Sequence, residues 1–98
     1  MFVMGCVLEL NIQESFSLKD KRRVVKSLKE RLAHRFQMSV VETGLQDVWN
    51  RSQLGCSFAS NHPKDLEQRL DRILEVVEST PQVELLRWTS DIIKVDLP

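Results

Sequence analysis

The spacing of apolar residues changes along this chain, and those changes constrain its fold more than any other feature. Apolar side chains alternate from Phe2 to Ile12 and then recur at steps of three, four and seven residues from Leu18 to about Arg35. Alternation is typical of a strand with one buried face, whereas a period near 3.6 is typical of a helix with one apolar stripe. The chain is therefore predicted to begin with a strand and an amphipathic helix.

The same criteria predict four further elements. Met38 to Leu45 and Gln53 to Ser60 have the short alternating patterns of two strands joined as a hairpin. Leu66 to Val77 has helical spacing, and Pro81 prevents that helix from continuing. Val83 to Leu97 is predicted as a last strand with a bend or bulge, because its apolar residues cannot all share one face. The predicted order is βαββαβ.

Both predicted helices have recognisable start signals. Ser17 stands in the N-cap position of the first helix, and Asp20 follows it by three residues, as in a capping box. Asn61 is predicted to cap the second helix, and Pro63 suits an early helical position because its missing amide would be unpaired there anyway.

This order of elements predicts a two-layer fold. Each βαβ unit favours a right-handed crossover, and two interleaved units place four antiparallel strands in one sheet with both helices on one side. The 98 residues are enough for one core of this kind and too few for two. We therefore predict a single ferredoxin-like α+β domain spanning residues 1–98.

Composition predicts a cytosolic protein. Apolar residues make up 42% and charged residues 29% of the chain, which is close to the average for soluble globular proteins. No apolar run approaches the roughly 20 residues of a membrane span, and Met1 to Leu8 lacks the basic flank and cleavage signal of a secretory leader. Cys6 and Cys56 lie in apolar strand patterns, where buried reduced thiols are expected.

The net charge of zero conceals a division along the chain. The segment from Leu18 to Phe36, which contains the first predicted helix, has eight basic and two acidic residues and therefore carries +6. Since the whole chain is neutral, the remainder carries −6. A local positive field is possible on such a molecule, because exposed charges act mainly within about 10 Å.

Five of these cations are predicted to share one exposed surface. At about 100° per residue they lie opposite or beside the apolar stripe. Such a surface suits an RNA phosphate backbone; the alternative is a solvated face that keeps the protein soluble or docks the acidic part of a neighbouring chain. Lys21 lies near the stripe and is expected to extend over the core with its ammonium group at the surface. We call the five residues the basic surface: Lys19, Arg22, Arg23, Lys26 and Lys29.

The sheet is not expected to bind RNA. RNA-recognition motifs share the βαββαβ order but stack bases on aromatic side chains of the two central strands. Here Phe2 and Phe58 belong to the core-facing sets, and the opposite face offers small residues such as Val3, Val7 and Ala59. An open apolar face favours a homodimer, although scattered small apolar residues can also occur without a partner.

A second candidate site is the loop between the second and third strands. Gln46, Asp47, Trp49 and Arg51 bring an amide, a carboxylate, an indole and a guanidinium close together. Loops often carry function, but these residues also form ordinary turns, and the tryptophan can cover the core. Neither interpretation is excluded by the sequence.

No residue set predicts catalysis, a cofactor, a metal, a membrane contact or sequence-specific DNA binding. His34 and His62 lack partners at metal-ligand spacing. No nucleophile is paired with a base, and no two carboxylates are placed to act across a site. The chain is therefore predicted not to be an enzyme.

Two stretches resemble the YlxP-like family of small bacterial proteins of unknown function. They are SLKDKRRVVKSLKERL, beginning at Ser17, and MSVVETGLQDVWNRSQLGCSFAS, beginning at Met38. The resemblance covers Phe2 to about Glu78. It implies a ferredoxin-like fold and a bacterial cytosol, in which family genes often neighbour factors of transcription and translation. It brings no catalytic residues.

The sequence thus predicts a non-enzymatic binding module that dimerises through the open sheet and contacts RNA, an RNA-containing particle such as the ribosome, or an acidic protein through the basic surface. The alternative is a dimeric small-ligand or regulatory domain with its pocket near the loop from Gln46 to Arg51. Fold alone does not choose between them.

Overall fold

The computed structural model describes residues 1–98 and has the predicted element order. The bounds are β1 Phe2–Ile12, α1 Leu18–Phe36, β2 Ser39–Gly44, β3 Arg51–Ser60, α2 Pro63–Glu78 and β4 Val83–Lys94. The four strands form one sheet in the order β2-β3-β1-β4, and every neighbouring pair is antiparallel. The predicted ferredoxin-like α+β fold is confirmed.

One core lies between the sheet and the two helices. It contains 19 buried apolar residues, contributed by one face of the sheet and by the apolar stripes of α1 and α2. Alternate residues of β1 from Met4 to Ile12 are buried, and so are Leu28 and Leu32 of α1 and Ile73 of α2. The opposite face of the sheet has no helix over it and is therefore exposed to solvent.

The helix starts were predicted with mixed success. The Ser17 hydroxyl accepts a hydrogen bond of 3.1 Å from the Asp20 amide, and the Asp20 carboxylate accepts one from the Phe16 amide. The first prediction is therefore correct. Asn61 is not the N-cap of α2, because His62 occupies that position without a side-chain cap and Pro63 is the first helical residue.

The irregularity predicted for β4 is present. The register with β1 shifts between Glu9, which pairs with Arg87, and Leu10, which pairs with Leu85, so that Leu86 is the extra residue of a bulge. The strand ends at Lys94, three residues before the predicted end. Beyond Leu85 most of β4, an edge strand of the sheet, is exposed, although Ile92 still packs against the core.

The two cysteines face each other across β1 and β3. Cys6 pairs with Cys56 in the strand register, and both thiols are buried and free, as predicted. The hydrogen bond between the two thiols and their burial raise the pKa of Cys56 above the ordinary value of a thiol. A neutral Cys56 thiol therefore persists in the core.

Lys21 is the buried cation of α1. Its side chain is only 1% exposed, and its ammonium donates to the carbonyl oxygens of Leu45 at 2.6 Å and Gln46 at 3.1 Å. The Glu42 carboxylate lies 3.2 Å away. The expectation that this ammonium reaches the surface was wrong, because the end of β2 and the following loop supply three acceptors inside the fold.

Removing the Glu42 carboxylate should destabilise the protein. The Glu42→Ala variant leaves the buried ammonium without a counter-ion, and since Glu42 is 20% exposed we expect a loss of about 2–3 kcal/mol in the free energy of unfolding. The Lys21→Met variant, which removes the charge and keeps the stem, should lose about 1 kcal/mol. Urea denaturation measures both changes.

The double variant Lys21→Met/Glu42→Ala is the control for this interpretation. It removes the unpaired charge, so it should be more stable than Glu42→Ala alone. A double variant that is less stable than Glu42→Ala would show that charge burial is not the cause of the loss.

Candidate functional site

The structure places the basic surface on the outer side of α1. Lys19, Arg22, Arg23 and Lys26 are exposed, and Lys29 is half-buried. None of the five has a carboxylate oxygen within 4.0 Å. The ion pairs of the protein involve other cations. Their positive charges are therefore not neutralised by the chain itself.

A groove between α1 and β2 joins part of this surface. It has a volume of about 470 Å³ and is lined by four cations, two carboxylates and one valine. Glu42, one of the two carboxylates, binds Lys21 and also accepts a 2.7 Å hydrogen bond from Ser52. Its charge is thus already engaged, and Glu30 is the one lining carboxylate outside any ion pair. The groove keeps a positive character at Arg22, Lys26 and Lys29.

The four residues of the loop site do not form a cluster of interacting side chains, and the contacts of the loop are mainly structural. The Gln46 side-chain amide donates to the Glu42 carbonyl at 3.2 Å, and the Trp49 carbonyl accepts a 2.7 Å hydrogen bond from Ser15. Asp47 and Arg51 are exposed, and no ion pair joins them. The loop therefore supplies backbone acceptors to Lys21 and Ser15.

Phe16 was not predicted as a functional residue, yet it is 84% exposed. A residue directly before an N-cap often packs against the fourth helical residue. That residue is Lys21, whose side chain is turned into the fold, so Phe16 has no apolar partner there. The Ser15 hydroxyl donates to the carbonyl oxygens of Ser17 and Trp49 and so links the loop before α1 to the loop before β3. Phe16 lies on the first of these loops, and the half-exposed indole of Trp49 lies on the second. The sequence contained a signal for this exposure, because the fourth helical position holds Lys21 and not an apolar residue that Phe16 could pack against.

The open sheet face carries apolar side chains in register. One row runs Val41, Gly55, Val7 and Thr89, and another runs Ala59, Val3 and Ile93. Val41 and Ile93 are each 55% exposed. The charged residues on this face include Glu9 and Arg87, which form a 3.2 Å ion pair. This face lies on the side of the sheet opposite α1 and α2.

The structure contains neither a group of metal ligands nor a membrane-spanning helix. No three His, Cys, Asp or Glu residues come together as ligands for a metal ion, and His34 and His62 are both exposed. Neither helix is long and apolar enough to cross a bilayer.

A family model described as "Protein of unknown function (DUF503)" matches residues 3–90. The chain belongs to this family. It is also 36% identical over 76 residues to the uncharacterized protein YlxP of Bacillus subtilis (strain 168), a match that covers 78% of this chain and 83% of that protein. The predicted resemblance to YlxP-like proteins is confirmed, and it assigns no activity.

A solved structure supports the fold. The de novo designed protein LFR1 1, which has a ferredoxin fold and was determined by solution NMR, matches with a TM-score of 0.53. The match covers 97% of this chain and 88% of the designed protein at 10% identity. At that identity the likeness concerns the arrangement of strands and helices alone.

Proposed function

We propose that this DUF503 protein is a non-enzymatic, cytoplasmic binding module that contacts RNA, such as the RNA of the ribosome, through the basic surface. The observation that carries the proposal is the absence of any intramolecular counter-ion for the five cations, four of which are exposed. Cations that neutralise RNA phosphates release condensed counter-ions, which gives affinity independent of sequence. Unpaired cations on a rigid helix are available for that exchange.

Exposed aromatic rings near the start of α1 support single-stranded RNA as the partner. Phe16 is three residues before Lys19, and Trp49 lies on the adjoining loop. Unpaired bases stack on exposed aromatic side chains in proteins that bind single strands, while cations follow the backbone. The proposal includes no separate ligand for the loop residues Gln46, Asp47 and Arg51. The backbone of this loop already binds Lys21.

The proposal includes a homodimer that forms through the open sheet face. The exposed valine and isoleucine side chains form the apolar part of that face, and the Glu9–Arg87 pair adds no net charge to it. Burial of these apolar side chains against a second copy is favourable. The exposed carboxylate of Asp91, opposite Gly5 on the edge strand, stays at the rim of such a contact. The helices stay outside this contact, so the basic surface of each copy remains free.

Charge reversal on the basic surface should abolish RNA binding without unfolding the protein. Arg23 and Lys26 are exposed and have no ion pair, so we expect the Arg23→Glu/Lys26→Glu variant to keep its melting temperature. Retention of labelled ribosomal RNA on a filter at about 50 mM salt should fall to background. The Lys64→Glu/Arg72→Glu variant changes the net charge by the same amount on α2 and should retain RNA. Equal retention by all three proteins would contradict the proposal.

An acidic side chain on the sheet face should dissociate the dimer. We expect the wild-type protein to sediment as a dimer at micromolar concentration, and the Val41→Asp/Ile93→Asp variant to sediment as a monomer because the new carboxylates would be desolvated in the contact. Leu97→Asp is the control, since Leu97 is 95% exposed beyond the end of β4. A monomeric wild type would exclude the contact.

A further inference from the structure

A second cationic site lies at the other end of α1, where that helix meets α2. A cavity of about 530 Å³ is lined by the residues Arg35, Phe36, Gln37, Arg69 and Arg72. Three of these five residues are arginines, and none is acidic. None of the three arginines has a carboxylate oxygen within 4.0 Å. Three like charges around one cavity repel each other unless an anion neutralises them.

Two of these guanidinium groups contact aromatic rings, and one of the two is also hydrogen-bonded. Arg69 donates a hydrogen bond to the Phe36 carbonyl, and its guanidinium carbon lies 4.9 Å from the centre of the Phe58 ring. The guanidinium carbon of Arg35 lies 5.7 Å from the centre of the Phe36 ring. Stacking on an aromatic face favours one orientation of a guanidinium, and Arg69 is fixed further by its hydrogen bond, so it has little freedom left to lose when a ligand binds.

The C-terminal end of a helix normally repels an anion, because its last carbonyl groups carry partial negative charge. Here Arg69 covers the Phe36 carbonyl and offsets that effect at the cavity. A guanidinium has five N–H donors, so Arg69 keeps donors for a ligand after this bond is made. Arg72 lies three residues further along α2, on the same side of the helix, and forms no hydrogen bond of its own to the protein.

An adjoining cavity shares Arg69 and Arg72 and contains the carboxylate of Asp65. That carboxylate accepts a 3.1 Å hydrogen bond from the Ser60 hydroxyl and forms no ion pair with either arginine. This negative charge is thus directed to Ser60 of β3 and does not neutralise the arginines.

We propose that the cavity formed by Arg35, Arg69 and Arg72 binds a pyrophosphate group. Guanidinium groups bind phosphate oxygens through paired hydrogen bonds, and three of them match two linked phosphates better than a single one. The volume lies in the range of small-molecule sites, roughly 300–1,000 Å³. This site is separate from the basic surface and does not depend on RNA binding there.

Inorganic pyrophosphate is the direct probe, titrated into the wild-type protein by calorimetry at constant ionic strength. We expect saturable binding, and we expect Arg72→Ala and Arg35→Ala each to weaken it by about tenfold, which corresponds to about 1.4 kcal/mol. Both residues are exposed and can be replaced without disturbing the core. Arg69 is left intact because it also covers the end of α1.

The matched control is Arg22→Ala, which removes an exposed arginine of the basic surface and should leave the pyrophosphate affinity unchanged. A nucleoside diphosphate, inorganic phosphate and a single-stranded RNA oligonucleotide, titrated separately, distinguish the sources of the anion. Arg72→Ala should weaken the nucleoside diphosphate as it weakens pyrophosphate, while leaving the RNA affinity unchanged. Absent pyrophosphate binding, equal affinity for phosphate, or an equal effect of Arg22→Ala would each overturn the assignment.

Discussion

The rest of this structure depends on the contact between the buried Lys21 ammonium and its acceptors at the end of β2 and in the loop after it. An ammonium group loses several kcal/mol of hydration when it is buried, and only close acceptors compensate for that loss. Glu42 and the carbonyls of Leu45 and Gln46 supply them, which fixes α1 against the end of β2 and orders the loop that follows. The same contact engages Glu42, one of the two carboxylates that line the groove, so that Glu42 does not neutralise the neighbouring cations of α1.

The two layers of the fold consequently differ in character. The helical layer presents unneutralised cations at two places, the basic surface on α1 and the arginine cavity at its C-terminal end. The sheet layer presents small apolar residues, the Glu9–Arg87 ion pair and the carboxylate of Asp91. A sheet-to-sheet dimer would therefore leave both cationic regions accessible, and binding at the helices need not compete with self-association.

The sequence predicted the elements well where a single periodicity runs far enough. The 11 residues of β1 and the 19 of α1 each follow one period, so their bounds were predicted to within a residue. Element order then determined the sheet topology through the handedness of the crossovers. The outward direction of the basic surface also followed from helical geometry, because it depends only on angular position around α1.

Contacts between distant segments were beyond prediction. The angle of Lys21 indicated that it lies near the core. The acceptors that bury it, however, come from the end of β2 and the loop after it, 21 or more residues away. The arginine cavity requires the end of α1 to meet the middle of α2. The hydrogen bond from Arg69 to the Phe36 carbonyl joins two different helices, so the residue spacing within either helix does not predict it. The exposure of Phe16 depends in turn on where Lys21 points.

The salt dependence of RNA affinity tests the central claim most directly, because it counts the phosphates that the protein neutralises. If the basic surface is the contact, the logarithm of the association constant for a single-stranded RNA should fall linearly with the logarithm of salt concentration, with a slope of about −2 to −3.5 for three to five cations. A slope near zero would show that the unpaired cations of α1 do not meet phosphates, and it would contradict the account.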